Sequence, residues 1–535
     1  MSEFGLLNWT IVFAYLIGIL VLGFFLSKRI ETDQDYYLGR KTTPWWAISL
    51  SLLATYLSVL GFLGGSAWSY TEGIAVAIIH INYPLVVFIV ITIFLPFFYN
   101  SGVASIFDYL ERRFGVKART FMSSVFLFGT FIYSGILLYT TALVLEFITG
   151  IPVTTAILIV AIVALTYTIL GGITAVIWTD FVQAVVLIIG AVLVLYFVVA
   201  ELPASMQSTL AAMKTQGRTS PFDFSLDTSK VATIWTGLVA MTIYHVVVFG
   251  INQMLVQRTL AAKSLADAKK AYVLVGYVAF LATGLFFVMG ALLHSYYDGR
   301  VFENTNVIVL EFVASIGIPG LMGILTAAIA AAAMSSLDSS LNSAATVITI
   351  DFYKAFFKKD GTPEHYLKAS RWFTIICAVV IVIPAFLYTK GGGSVLEILS
   401  KVGSFLVGAK LAMFGLGFFS KHTTERGLLV GVVVGFLSLW YLESSTEVAW
   451  PWYCVVGSVV SISVSWLSSV ALDGFQPEYS EYTVKGQKEL FKRENREEKK
   501  DGWFVVPGRI DKVSYFLLGY LALCLVAWWW LEGLI

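Results

Sequence analysis

A row of hydroxyls crosses an otherwise apolar stretch of this chain. Ala332, Ser335, Ser336, Ser339, Asn342, Ser343 and Thr346 follow one another at steps of three, one, three, three, one and three. That spacing is helical and brings all seven to one face, with Asp338 beside them. Helix packing explains a stripe of small residues, since these let backbones approach closely. A wet or ion-occupied interior explains it equally well, because intramembrane carboxylates mark ion or proton paths. Asp338 favours the second reading.

Other residue types in this chain point to chemistry or exclude it. Lys410 stands in the middle of an apolar run, where an unpaired charge is costly, so it calls for Asp338, Asp180 or an anionic substrate as partner. Lys401 follows Glu397 by four residues, the spacing of a helix-surface pair. Cys377, Cys454 and Cys524 have neither metal-ligand nor disulfide spacing, which leaves packing as their role. The chain lacks HExxH, GxSxG and any paired metal-ligand cluster, so nothing points to an enzyme. No long basic run favours nucleic acid.

The elements that must position these residues are membrane helices. Of 535 residues, 58% are hydrophobic and 13% charged, with a mean hydropathy of +0.82; soluble chains carry about 25% charged residues. The reading is all-α, with fourteen spans at roughly 8–27, 45–70, 74–100, 121–149, 152–170, 175–200, 231–252, 271–295, 319–352, 371–389, 395–420, 427–442, 450–471 and 513–534;. The first run, Asn8 to Leu26, is long enough to span and carries no cleavage signature;. Alternate loops hold 28 lysines and arginines against five on the other side. The rich side is cytoplasmic by the positive-inside rule, and both termini face outward. The mixed-sign stretch 473–512 reads as a solvated cytoplasmic linker.

Two spans look broken. One holds Gly61, Gly64 and Gly65; the other holds Phe249 and Gly250 followed by Asn252 and Gln253. Each opens a run of five helices, 45–200 and 231–420, and an odd count inverts the second half relative to the first. Interrupted helices at matching positions point to a transporter site at the bilayer midplane. An extra helix and loop, 1–44, precede this 5+5 core, and accessory helices, 427–535, follow it.

Four stretches resemble the sodium:solute symporter family: DYYLGRKTTPWWAISLSLLATYLS (35–58), GGITAVIWTDFVQ (171–183), NQMLVQRTLAAKS (252–264) and AAAMSSLDSSLNSAATVITIDFYK (331–354). The likeness is to its bacterial sodium/sugar (galactose) cotransporter branch. It implies a leucine-transporter-like fold, alternating access and a sodium ion between the first and eighth core helices. By motif position the ligands would be backbone carbonyls of Ala54, Leu57 and Ala332 with the hydroxyls of Ser335 and Ser336. An all-oxygen set suits a hard cation. Some members bind a second sodium near Asp180, Ser335 and Ser339, and carry Ser or Thr where this chain has Asp338, which would strengthen that site or carry a proton. The helix dipole is another reason for an acid at Asp180.

The resemblance also places Tyr56, Ser58, His80, Tyr133, His245, Val248, Phe249 and Gln253 at the substrate. Galactose-binding relatives have Glu where His80 stands and Asn where His245 stands, and sialic-acid relatives have Arg where Tyr133 stands. Phe249 and Trp68 suit packing or a gate. The expected function is sodium-coupled symport of a small polar solute, a sugar or sugar-like molecule, across the cell membrane, with a monomer in the lipid bilayer sufficing. The alternative within transport is a carboxylate importer. A channel or sensor from another class is disfavoured by the inverted broken helices and the lack of a signalling domain.

Overall fold

A computed structural model describes residues 4–27, 33–39, 41–103, 105–168, 172–220, 222–389, 394–476 and 478–534. Of the residues read from the sequence, Lys28, Arg29, Arg40, Gly171 and Lys390 lie outside these. Backbone amides and carbonyls must be paired inside a bilayer, so apolar runs of this length fold as helices. Among the described residues, 11 helices are long and apolar enough to cross. Two further crossings are bent pairs, Trp45–Tyr56 with Leu60–Glu72 and Thr236–Gly250 with Gln253–Leu260. The shorter helix Val153–Thr168 covers the fifth expected span, and each of the fourteen expected spans falls on one of these elements. A second short apolar helix, within Thr305–Ile316, was not anticipated.

The serine-bearing helix Leu321–Val347 lies deepest. It packs on Ile173–Ala200, Val116–Thr149, Leu6–Ser27 and the first half of the broken helix at Trp45–Tyr56. The broken helix in turn leans on Leu265–Tyr296. Glu425–Ser445 and Pro451–Asp473 close on each other through small residues. A Cβ on Gly427, Gly431 or Gly435 would meet Ser469, Ser465 or Ser461, a spacing of four that lets two backbones touch.

The breaks are sharp, 54° in the first helix and 49° in the second. The second falls at Ile251 and Asn252, where it was expected; Asn252 caps the new half, its side chain accepting from Met254 N at 3.1 Å. The first falls upstream of its glycines, at Leu57–Val59, and Leu60–Gly65 continue as a π-helical turn. The glycines serve close approach instead. A Cβ on Gly64 would lie 2.8 Å from the backbone nitrogen of Leu396, and Ser394 Oγ donates to Gly64 O at 2.9 Å.

The stretch 473–512 corrects the expectation of a solvated linker. It is docked. Val484–Arg493 is a helix capped by Thr483 that buries Val484 and Phe491, and Lys499–Lys500 pairs antiparallel with Trp503–Phe504. Lys269, fully buried and counted above among the loop cations, donates to Asp511 Oδ2 at 2.6 Å and to Phe504 O at 2.7 Å. Gly508 N donates to Thr92 O at 2.7 Å, and Asn100 Nδ2 to Val505 O at 2.8 Å. The strap thus ties Leu265–Tyr296 to Leu95–Ser101. Mixed charge looked like solvation because the partners lie more than two hundred residues away.

Gly64→Ala is expected to lower the thermal midpoint, by an overpacking cost of about 1–3 kcal/mol. Gly284→Ala, with nothing within 4 Å of its added Cβ, is the control and should hold or raise it. Thermal unfolding in detergent checks both.

Candidate functional site

The first break frees carbonyls, and the serine stripe meets them. Ser335 Oγ donates to Ala54 O at 3.1 Å and to Ala332 O at 3.1 Å. Ser336 Oγ donates to Thr55 O at 3.2 Å and to Ala332 O at 3.3 Å. The usual helical partners of the Ala54 and Thr55 carbonyls, the amides of Ser58 and Val59, lie in the break. Five neutral oxygens on two helices therefore converge in a buried interior. Such a set fits a hard monovalent cation. Four of the five expected ligand residues, Ala54, Ala332, Ser335 and Ser336, come together this way. Leu57 stands at the break and lines the adjoining cavity. Thr55 O is an oxygen the motif did not indicate.

The second set of acids divides. Asp180 and Arg258 form an ion pair, Nη2 to Oδ2 at 3.0 Å, with side chains 0% and 1% exposed. Ser51 Oγ donates to the same Oδ2 at 2.6 Å and accepts from Arg258 Nε at 2.8 Å. Arg258 Nη2 also donates to Ser339 Oγ, which in turn donates to Ser335 O. A fixed guanidinium thus stands between two residues expected to serve a mobile ion, while Asp180 Oδ1 has no hydrogen-bond partner among the described residues. Asp338 turns toward another helix, where its Oδ1 accepts from Thr168 Oγ1 at 2.5 Å.

Beside the sodium candidate lies a cavity of about 200 Å³. Tyr56, Ser58, His80, Tyr133, His245 and Val248 line it, as expected, together with Thr55, Thr283 and Lys410. The ring groups are hydrogen-bonded in series. Tyr83 OH donates to Tyr56 OH at 2.6 Å, Tyr56 OH meets His245 Nε2 at 3.0 Å, and His80 Nδ1 meets Tyr83 OH at 2.5 Å.

Several expectations are corrected. Gln253 is buried outside the cavity, and its Oε1 accepts from Ile106 N at 3.0 Å. It faces the helix Ile106–Arg113 because it opens the half-helix beyond the break. Phe249 backs the site rather than lining it, with its ring 4.9 Å from that of Tyr56. Trp68, by contrast, packs as expected, on Phe287 and Trp450. Lys401 pairs with Glu443 of the accessory helix at 2.5 Å, not with Glu397. Lys410 pairs with neither Asp338 nor Asp180. Those acids look toward Thr168 and Arg258, whereas Lys410 lies in the wall of the cavity.

Sequence reading missed Arg258, Asn82 and Tyr83. Arg258 sits inside the motif NQMLVQRTLAAKS and was counted as a loop cation; only its tertiary partner marks it as internal. Nor did sequence show the buried pair Arg119–Asp351, Nε to Oδ1 at 2.7 Å, which Ser105 Oγ completes at 2.8 Å.

Two broken apolar helices, each opening one half of the core around an oxygen cluster and a cavity, define a secondary carrier of the leucine-transporter type;. The chain belongs to the sodium:solute symporter family, whose model matches residues 36–435. It is 28% identical to the sodium/sialic acid symporter NanT of Aliivibrio fischeri, over 88% of this chain and 94% of that one. It is 30% identical to the sodium/glucose cotransporter of Vibrio parahaemolyticus, over 79% and 82%. With the human sodium-coupled monocarboxylate transporter 2 the identity is 28%, over 79% and 69%. The solved structure of a Na+-coupled sialic acid symporter in a substrate-bound outward-open state is 26% identical, with a TM-score of 0.81, covering 89% of this chain and 100% of that one. Mhp1, a nucleobase-cation-symport-1 transporter, shares the fold at a TM-score of 0.57 and 15% identity, covering 84% and 96%. The protein is a sodium-coupled symporter of solutes, embedded in a membrane, and not an enzyme.

Arg258→Met alone leaves Asp180 buried without its partner, an expected loss of about 3–5 kcal/mol. Arg258→Met with Asp180→Leu should recover most of it. A double-mutant cycle on the thermal midpoint reads the coupling.

Proposed function

We propose that this symporter carries a small organic anion, a carboxylic acid or sugar acid, inward with sodium. The observation behind this is Lys410. It sits mid-helix in Val395–Phe419, lines the cavity, and makes no ion pair or hydrogen bond among the described residues. A lone ammonium in such surroundings is costly, and a carboxylate in the cavity relieves that cost. A neutral sugar, the expectation from the motifs alone, leaves it in place. Among the relatives named above, sialic acid and monocarboxylates bear a carboxylate and glucose does not.

Sodium is held in this reading by the carbonyls of Ala54, Leu57 and Ala332 and by the hydroxyls of Ser335 and Ser336. Tyr56 lies on the broken helix between Ala54 and Leu57. An ion that orders this backbone therefore orders one wall of the cavity. By linkage, sodium and substrate raise each other's affinity by the same factor. The Asp180, Ser339 and Asp338 region is the place for any second ion or proton, with Arg258 as a built-in competitor. The loops rich in Lys and Arg face the cytoplasm, both termini face outward, and one chain suffices.

Uptake into proteoliposomes with sodium, potassium or choline outside tests the reading. Uptake should follow sodium, and a dependence on a proton gradient alone would sink the sodium assignment. Ser336→Ala should raise the sodium concentration for half-maximal uptake, with Leu337→Ile unchanged. Lys410→Met should weaken binding of carboxylates about 30-fold or more, the lower end of the cost of stripping one partner from a buried charge pair. Unaltered carboxylate binding in that variant would return the choice to a neutral sugar.

A further inference from the structure

The cavity also holds an instruction about hydrogen-bond polarity, and it begins outside the cavity at Asn82. Asn82 Nδ2 donates to Ile79 O at 3.0 Å and to Gly237 O at 2.6 Å. Both partners are carbonyls, so the amide cannot be flipped, and Oδ1 must be the atom that faces His245 Nδ1 at 2.7 Å;. His245 therefore donates from Nδ1. Among the described residues no carboxylate reaches His245 or His80 within hydrogen-bond distance. Lys410 lines the same cavity. A buried imidazolium with no counter-charge is costly, so both rings are neutral. His245 Nε2 then has only a lone pair and accepts from Tyr56 OH. With its proton committed, Tyr56 accepts from Tyr83 OH at 2.6 Å. Tyr83 has no second proton, so it accepts from His80 Nδ1 at 2.5 Å. Each bond in the series is decided by the one before it.

The series ends on His80 Nε2. It must be an unprotonated acceptor. His80 lines the cavity and is 6% exposed, and among the described residues its Nε2 has no hydrogen-bond partner; the atom itself is covered here, so a substrate meets it once the rings around it shift. We infer that His80 Nε2 is a specificity-determining acceptor that demands a hydroxyl or N–H donor on the substrate, so that the transported anion is a hydroxy acid or sugar acid rather than a plain alkanoate. The substrate class rests on the anion reading above. The polarity of His80 stands on the hydrogen-bond series alone. Lys410 takes the charged end and His80 takes a donor elsewhere on the molecule. An alkanoate satisfies the first and strands the second, and an unpaired buried acceptor costs roughly ten- to a hundredfold in affinity.

Two measurements test this. The first needs no substrate. Long-range nitrogen–proton correlation spectra of the full-length protein carrying nitrogen-15 histidine, in detergent, report the tautomer of each of its five histidines. Signals are assigned by their loss in His80→Gln and His245→Gln. Both rings should show the proton on Nδ1, the minor form in water. A proton on Nε2 of His80, or a charged ring, overturns the proposal. The second measurement is sodium-dependent thermal stabilisation by matched acids: lactate, propionate and 2-methoxypropionate, then 3-hydroxybutyrate and butyrate. The hydroxy acids should bind at least about tenfold more tightly than both the deoxy acid and the ether, which accepts but cannot donate. His80→Phe should close that gap, while Lys410→Met should weaken all the acids together. Equal binding of lactate, propionate and the ether overturns the donor requirement. If no acid binds, the anion reading fails, and the donor requirement is then decided by glucose against its deoxy and O-methyl derivatives.

Discussion

Everything that distinguishes this protein's interior follows from one constraint: a carbonyl that loses its helical amide inside a bilayer must find another partner. The break at Leu57–Val59 releases Ala54 and Thr55. Ser335 and Ser336 answer them from the deepest helix of the fold. The stripe therefore does more than pack. The same small hydroxyls that let Leu321–Val347 lie against the broken helix also gather an oxygen set of the kind a cation would take;. The second break poses the complementary demand: the amides that open its new half-helix lose their carbonyls, and Asn252 Oδ1 accepts from Met254 N;. That leaves the carbonyl-rich side of the site to the first broken helix.

Much of this was legible in the sequence, and the parts that were not share a cause. Helix positions, the stripe and the residues Tyr56, His80, Tyr133 and His245 are local or motif-borne; the helices fall where expected, and the four residues come together around one cavity. Ionic partners are not local. Arg258, Lys269 and Arg119 all read as loop cations by their neighbours along the chain, yet each is buried against an acid from a distant segment. Lys410 was only half legible. A mid-membrane charge left Asp338, Asp180 or an anionic substrate open as its partner, and only the tertiary structure puts it in the wall of the cavity, away from both acids. The glycines of the first broken helix misled for a related reason. Gly64 is small because Leu396 comes within contact of it, a requirement of packing that looks like a requirement of flexibility. Asn82 could not be singled out, because an asparagine fixes a tautomer only when two carbonyls hold its amide in place.

The buried ion pairs Arg119–Asp351, Arg258–Asp180 and Lys269–Asp511 share a location: each lies near the end of the helices that the cation-rich loops connect. Pairs of this kind add little net stability, but they are costly to leave half-made. They make an arrangement all-or-none, which suits an end of a carrier that must be shut or open and not in between. At the opposite end Tyr70 packs against Phe302 and Tyr297, and its OH donates to Arg300 O at 2.6 Å, so that contact is aromatic with a neutral hydrogen bond in place of a buried ion pair.

The strap that joins Lys269 and Thr92 through residues 504–511 has a mechanical meaning. Its two ends continue into Pro451–Asp473 and Lys512–Leu534, which rest on different parts of the core. A segment pinned at both ends and bonded at its middle shortens the lever arm of whatever it crosses. The strap fixes the spacing between Leu265–Tyr296 and Leu95–Ser101, whereas the bends at Leu57–Val59 and Ile251–Asn252 lie in other helices. The bracing and the breaks therefore fall on different elements, and the breaks are the ones beside the candidate ion and substrate sites.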